Sequence, residues 1–226
     1  MTKRVDDAGR AFAGSQLQMQ LHATHRLAAF EAAICESLGE EEVDLISPVA
    51  AESFREYMDG SFLEALGLRQ YREQLREFWP KSGPRWDGLG RVNPSGAILL
   101  FEGKSYPEEM VSSCSATAES SLELIRKSLD EAKSWFGGAS DADWLKGYYQ
   151  YANRLAHVYF FRHYLGIDAW LVNVCFIDDE TTRATNRTQW DAGLSTAVQA
   201  LGFSDTPKYV VDIFLESGSY AELVEE

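Results

Sequence analysis

A short apolar run that ends in a pair of charged residues is the feature that most constrains the fold. Residues 97–101 read AILLF and follow the turn sequence NPSG at 93–96, so they predict a buried strand. Residues 85–92 alternate weakly between apolar and polar side chains and predict the partner strand. The two segments together indicate a β-hairpin in the core of an α/β protein.

The register of this hairpin brings acidic residues together. If Pro94-Ser95 centres the turn, residues pair when their numbers sum to 189, which places Asp87 opposite Glu102. The two-residue period of a strand places Lys104 on the same face as Glu102. Facing carboxylates repel each other unless something neutralises them, and a divalent metal would do so. The alternative interpretation is a salt bridge or solvated pair at the end of a strand.

The same residues resemble the signature of the PD-(D/E)XK nuclease-like superfamily, in which an Asp is followed by Glu-x-Lys. More specifically, the chain resembles a little-characterised bacterial family with WDA…LVEAKAH-type and QxANRLAxxYFxR-type patterns. The segments that carry this resemblance lie between residues 85 and 179 and read WDGLG at 86–90, LFEGKSY at 100–106, YQYANRLAHVYFFR at 149–162 and GIDAWLV at 166–172. The chain departs from the family pattern at Gly103, where Ala is usual, and at Ser105-Tyr106, where Ala-His is usual. Trp86 precedes Asp87, so the Pro of the superfamily name is absent.

This resemblance implies a restriction-endonuclease-like α/β fold, with a mixed central sheet of four to five strands flanked by helices. We expect one domain over residues 1–226, with N-terminal helices (about 16–80) packed on a core (about 81–226). Helical spacing predicts helices at 16–38, 48–58, 62–78, 118–136, 141–165 and 189–201. A continuous apolar run predicts a strand at 169–177, and an alternating pattern predicts one at 209–215.

The resemblance also implies a function. Asp87, Glu102 and the Gly103 carbonyl would bind Mg²⁺ or Mn²⁺, and Lys104 would act on the attacking water. The expected activity is metal-dependent phosphodiester cleavage of DNA, with RNA left open as a substrate. The alternative is a non-catalytic relative that uses the fold to bind a protein or nucleic-acid partner, including a second copy of itself.

Three further residues are auxiliary candidates. Glu31 falls on the apolar stripe of the predicted helix 16–38, and in this superfamily a helical acid can join the metal site. Gln150 and Arg154 belong to a polar stripe on the long helix, and such helical residues often lie near the metal in relatives. The alternative interpretations are a glutamate at the edge of the apolar stripe and a stripe that faces solvent.

The charge of the chain limits its partners. The net charge of −14 argues against broad affinity for nucleic acid, yet residues 69–104 contain seven basic and four acidic side chains and so carry +3. This basic window is either a nucleic-acid contact or an ordinary helix face whose charges pair at helical spacing. No apolar segment of membrane-spanning length occurs, and no signal sequence is recognisable, so we expect a cytoplasmic protein without membrane contact.

Overall fold

A five-stranded mixed sheet forms the centre of the protein. The computed structural model describes residues 4–225, so residues 1–3 and 226 of the predicted domain lie outside it. The strands are β1 (Glu42–Ser47), β2 (Tyr57–Met58), β3 (Arg85–Trp86), β4 (Gly88–Asn93), β5 (Ile98–Lys104), β6 (Ala169–Ile177) and β7 (Val210–Glu216). The central sheet has the order β1-β4-β5-β6-β7, in which β1, β4 and β5 are antiparallel and β5, β6 and β7 are parallel. Strands β2 and β3 form a separate two-stranded ribbon. The predicted α/β class with a mixed central sheet is confirmed.

The predicted hairpin register is also confirmed. Strands β4 and β5 pair Gly88 with Phe101 and Leu89 with Leu100, and the pairing continues to Arg91 with Ile98. Each of these pairs sums to 189, as expected for a turn centred on Pro94-Ser95.

Helices cover both faces of the sheet. They are α1 (Gly14–Thr24), α2 (Leu27–Leu38), α3 (Gly60–Ala65), α4 (Arg72–Phe78), α5 (Glu119–Phe136), α6 (Tyr149–Tyr159), α7 (Arg187–Ala200) and α8 (Tyr220–Val224). Alternate residues of β5 enter different cores. Ile98 and Leu100 pack with α5 and α6, whereas Leu99 and Phe101 pack with α1 and α2. Burial on both faces explains why β5 and β6 are almost continuously apolar.

Several predicted boundaries are wrong. The helix expected at 16–38 is two helices, because Arg26 leaves helical geometry and its guanidinium donates to the Glu216 carbonyl. The helix expected at 62–78 is likewise divided, at Gly67, whose φ is +67°. Residues 48–58 form one 3₁₀ turn and strand β2, because Ser53 and Phe54 have positive φ.

The long helix begins at Tyr149 and not at 141, because residues 145–149 form backbone hydrogen bonds with residues 112–114. Strand β1 was not predicted, and it adds a fifth strand to the sheet from the segment between the helices predicted at 16–38 and 48–58. Within residues 4–225, no helix combines the length and apolar content needed to cross a membrane.

Candidate active site

Asp87 lies at the bend between β3 and β4, beside the end of β5. Its Oδ2 accepts a hydrogen bond from the Gly103 backbone N–H at 2.9 Å, so the carboxylate faces the residue directly after Glu102. Burial, and secondarily the negative charge of Glu102, raises the pKa of Asp87 to about 7, while Lys104 partly opposes this shift. The hairpin therefore brings the two predicted carboxylates into electrostatic contact, and their repulsion is partly relieved by protonation.

Glu102 is 6% exposed and accepts hydrogen bonds from two cations. One carboxylate oxygen accepts from the Lys104 ammonium and the other from Arg154 Nε at 2.6 Å. Burial alone would raise the pKa of Glu102, but the positive charges of Arg154 and Lys104 lower it. The contact with Lys104 shows that both side chains lie on one face of β5, as predicted.

Lys104 is held by the same group of charges. Its ammonium also donates to the Gly103 carbonyl at 3.2 Å. Burial would lower the pKa of Lys104, but the carboxylates of Glu102 and Asp87 raise it above the ordinary value. Lys104 is therefore an ammonium in this arrangement.

Arg154 reaches the site from α6 and is 3% exposed. Its guanidinium donates to the Asn153 side chain and to the Arg85 carbonyl, both at 2.8 Å, and lies 4.8 Å from the centre of the Trp86 ring. The polar stripe of the long helix is thus directed inward, because Asn153, Arg154 and His157 are all buried. The interpretation of these three residues as a solvent-facing stripe is wrong.

Gln150, one turn before Arg154, lines a small cavity together with Glu102, Lys104 and Asn173. The volume of this cavity is about 20 Å³, which is room for one water-sized species. The backbone N–H of Gln150 donates to Ser112 Oγ at 2.8 Å, which fixes the start of the helix. The structure therefore places Gln150 beside the charged side chains of Glu102 and Lys104.

Glu31 does not join the site. It lies on α2, where its charge and those of Glu40 and Glu42 raise the pKa of Cys35, after the larger effect of burial. Helix α2 packs against the face of the sheet that carries Leu99 and Phe101, whereas Glu102 and Lys104 point to the opposite face. The break between α1 and α2 turns Phe30 and Ile34, and not Glu31, toward the core.

Glu56 is an acidic neighbour that the sequence analysis missed. It precedes β2, whose pairing with β3 aligns Tyr57 with Trp86 and so brings Glu56 near Asp87. The charge of Glu56 contributes to the raised pKa of Asp87, and Glu56 forms an ion pair of 3.6 Å with Arg85. Burial raises the pKa of Glu56 itself. Its segment was predicted as helix, so no spacing rule connected it to the hairpin.

A second missed group fixes the end of β5. The Ser105 N–H donates to Glu109 at 2.7 Å, and the Ser105 hydroxyl donates to Asp179 at 2.5 Å. Asp179 is fully buried and also accepts from Gln18 on α1 and from Thr181. Ser105 therefore anchors the strand that presents Lys104.

The oxygen atoms of the candidate site are of the chemical type that binds a hard divalent cation. Asp87, Glu102 and the Gly103 carbonyl offer only oxygen atoms, and Mg²⁺ commonly uses one or two carboxylates and keeps several waters. Burial is the main cause of the raised pKa of Asp87, and the nearby carboxylate of Glu102 adds to it. Among residues 4–225, no cluster of three or more Asp, Glu, His or Cys side chains could by itself hold a metal ion. The fit therefore depends on two carboxylates only.

Comparisons with known proteins give no match. No protein-family model, no curated protein and no solved structure is significantly similar to this chain.

Proposed function

We propose that this protein is a metal-dependent phosphodiesterase that acts on DNA, with RNA as an open alternative. The observation that carries the proposal is the contact of Asp87 with the Gly103 amide, beside Glu102 and with Lys104 on the same strand face. A structural salt bridge needs only Glu102 and Lys104. The carboxylate of Asp87, which accepts from the Gly103 N–H and whose pKa is raised by burial and by the charge of Glu102, adds a second acid to that pair.

The proposed roles follow from these contacts. Asp87, Glu102 and the Gly103 carbonyl would hold Mg²⁺ or Mn²⁺, which supplies a nucleophilic water and neutralises charge on the scissile phosphate when bound. Lys104, as an ammonium, would donate a hydrogen bond that orients the water or stabilises the phosphate oxygens. Arg154 would keep Glu102 ionised and fixed in position. Gln150 would line the space next to Lys104.

Chelation and two variants test this assignment in a DNA-cleavage assay with Mg²⁺ or Mn²⁺. We expect EDTA to stop cleavage, Lys104→Ala to nearly abolish it while metal binding by calorimetry persists, and Asp87→Asn to lose both. Lys127→Ala and Asp130→Asn are matched controls, because these side chains are exposed on α5. If Lys104→Ala cleaves as well as the Lys127→Ala control, the assignment is wrong.

One observation favours a second candidate function, a nuclease fold that binds a partner without catalysis. Arg154 and Lys104 engage both oxygens of Glu102, so the carboxylate is already neutralised without an ion. The acidity of the whole protein, with a net charge of −14, would then favour a protein partner or a second copy of the chain over nucleic acid. Wild-type protein that shows no heat of Mg²⁺ or Mn²⁺ binding, and no cleavage of DNA or RNA, would support this candidate.

A further inference from the structure

The last strand of the central sheet has an open edge. Strand β7 pairs with β6 on one side, and no described strand pairs with its other side. The Tyr209 carbonyl and the Ser217 N–H bond to β6, so the odd-numbered residues between them also direct their backbone groups toward β6. The N–H and C=O groups of Val210, Asp212 and Phe214 therefore point outward, and none of them has a hydrogen-bond partner among residues 4–225. We call these three residues the β7 edge.

A groove runs along the β7 edge, between the end of α2 and α7. Its volume is about 570 Å³, and all three residues of the β7 edge line it. The side chains of Leu194 and Val198 on α7 form an apolar part of its wall. At the next outward position the edge is closed, because His22 and Arg26 donate to the Glu216 carbonyl. The open part of the edge is therefore long enough to pair with a short extended segment of about five residues.

Asp212 lies at the middle of the β7 edge and limits which strand can pair there. Its Oδ1 accepts from the Asn173 side chain at 2.7 Å, whereas its Oδ2 has no partner in the described part of the chain. Burial raises the pKa of Asp212, and the Asn173 amide and the Arg187 charge only partly oppose this shift. A charge at an edge strand discourages pairing with strands that cannot neutralise it. A cation beside Oδ2 would neutralise Asp212 and satisfy its free oxygen.

The charges around the groove favour a cationic occupant. Asp191, Asp205 and Asp212 line the groove together with one cation, Arg187, which gives a formal charge of −2. Arg187 already pairs with Asp191 at 2.8 Å, and its guanidinium lies 3.6 Å from the centre of the Phe214 ring. A second copy of the chain fits poorly, because symmetric antiparallel pairing of two β7 edges would place Asp212 opposite its own copy.

We propose that the β7 edge binds an extended segment of a partner protein that carries a Lys or Arg side chain opposite Asp212. Main-chain hydrogen bonds to the outward N–H and C=O groups would supply the affinity, and the ion pair with Asp212 would supply the selectivity. Residues two positions away on that segment would lie on the same face and contact the apolar wall of the groove. Binding at the β7 edge needs neither the proposed metal ligands nor cleavage, so it is tested in EDTA.

The test is selection of a phage-displayed library of random nonapeptides on wild-type protein, followed by calorimetry with the selected peptides made synthetically. We expect these peptides to share one Lys or Arg position between β-branched residues, and to bind Asp212→Asn at least about tenfold more weakly than wild type. Asp44→Asn is the matched control and should bind like wild type. Asp44 is exposed on β1, at the opposite edge of the sheet, and it also accepts from an asparagine side chain at 2.7 Å.

Two further measurements separate strand pairing from simple charge attraction. Amide hydrogen exchange of Asp212 and Phe214, followed by NMR, should slow at least about tenfold when the peptide binds, since these N–H groups then donate to it. Phe214→Pro removes one outward N–H without breaking the pairing of β7 with β6. It should weaken peptide binding at least about tenfold relative to Phe214→Ala, which loses the same ring but keeps the N–H.

N-methylation of the peptide tests the same contacts on wild-type protein, so the result does not depend on the folding of Phe214→Pro. Only alternate amides of an added strand face β7, so methylation of one alternate set should abolish binding and methylation of the other should not. The proposal is overturned if no selected peptide loses affinity for Asp212→Asn, if the Asp212 and Phe214 amides exchange equally fast with and without peptide, or if both methylated sets bind equally. Dimerisation in sedimentation equilibrium that Phe214→Pro abolishes would identify a second copy of the chain as the occupant and reject the partner segment.

Discussion

The buried pair of Arg154 and Glu102 shows how strongly single residues determine this site. Both side chains are almost completely removed from water, at 3% and 7% exposure. Desolvation of two charges is costly, and it is offset here because each group has several partners. Arg154 donates to three acceptors and stacks on Trp86, and Glu102 also accepts from Lys104. Removal of one partner would leave the others without compensation.

Substitution of Arg154 by a side chain of similar length should therefore lower the stability of the fold considerably. We expect Arg154→Met to lower the free energy of unfolding by about 3–5 kcal/mol, because Glu102 remains buried with one cation fewer. Urea denaturation of Arg154→Met, Glu102→Gln and the double variant would measure the coupling between them. Arg76→Met, in an exposed ion pair, should cost less than about 1 kcal/mol. Equal losses for Arg154→Met and Arg76→Met would contradict this account.

Part of this site could be predicted from the sequence, and the rest could not. Asp87, Glu102 and Lys104 could be predicted because a hairpin register and a strand period are local rules. The Arg154 ion pair could not, because a polar stripe on a helix looks the same whether it faces solvent or a buried carboxylate. Glu56 was missed because its position depends on the pairing of two very short strands.

At the level of elements, the apolar strands β5 and β6 were predictable because burial on both faces leaves a continuous apolar run. Strand β1 was not, because it is an edge strand in which exposed Glu42 and Asp44 flank buried Val43. In the sequence, so short an alternation of polar and apolar residues directly after acidic residues looks like a solvent-exposed loop. The division of the first predicted helix depends on tertiary contacts of Arg26 with the C-terminal segment, which no local pattern encodes.

Gly103 in β5 is explained by the packing of α1 on the sheet. A Cβ at this position would lie 2.9 Å from Met19 Cγ and 3.3 Å from its sulfur. Met19 is 1% exposed, so its side chain has little room to move away. The helix and the strand can approach this closely only because residue 103 has no side chain.

Introduction of one methyl group at this contact should test the explanation. We expect Gly103→Ala to lower the free energy of unfolding by about 1–3 kcal/mol through overpacking. In a Met19→Ala background the same change should cost less, because the nearest obstructing atoms are gone and only Phe176 Cε2, at 3.3 Å, remains close. A double-mutant cycle by urea denaturation measures the difference. An unchanged cost in both backgrounds would show that Met19 is not what requires glycine at this position.

In the molecule as a whole, the two ends of the described chain are packed together. The Gln18 side chain on α1 exchanges hydrogen bonds with the Gly218 backbone, and Arg26 forms an ion pair with Glu222 at 2.5 Å. His22 lies between them, where Nε2 donates to the Glu216 carbonyl at 3.1 Å and the ring stacks on Phe176. Helix α1, which also packs against β5, thus connects the C-terminal segment to the strand that carries the site.

His22 should make the stability of the whole molecule depend on pH. Burial, with a smaller effect of the Arg26 charge, lowers the pKa of His22 to about 4, while the Glu216 carbonyl and the Glu222 charge oppose the shift. In the unfolded chain a histidine binds its proton near pH 6.5, so between about pH 6.5 and pH 4 the unfolded state binds more protons. His22 therefore stabilises the folded protein fully above this window, and up to roughly 3 kcal/mol is lost as the pH falls through it.

Wild-type protein must be compared with a variant to isolate the contribution of His22, because Asp87 and other groups titrate in the same pH range. Urea denaturation at a series of pH values should give a free energy of unfolding that falls more steeply with acid for wild-type protein than for His22→Gln. His25→Gln is the matched control, since His25 is exposed just beyond the end of the same helix and also contacts the C-terminal segment, at the Leu223 carbonyl. If the His22→Gln curve is parallel to wild type from about pH 7 to pH 4, His22 takes up its proton in the folded state. The packing of α1 against the C-terminal segment would then be looser than the hydrogen bond to Glu216 implies.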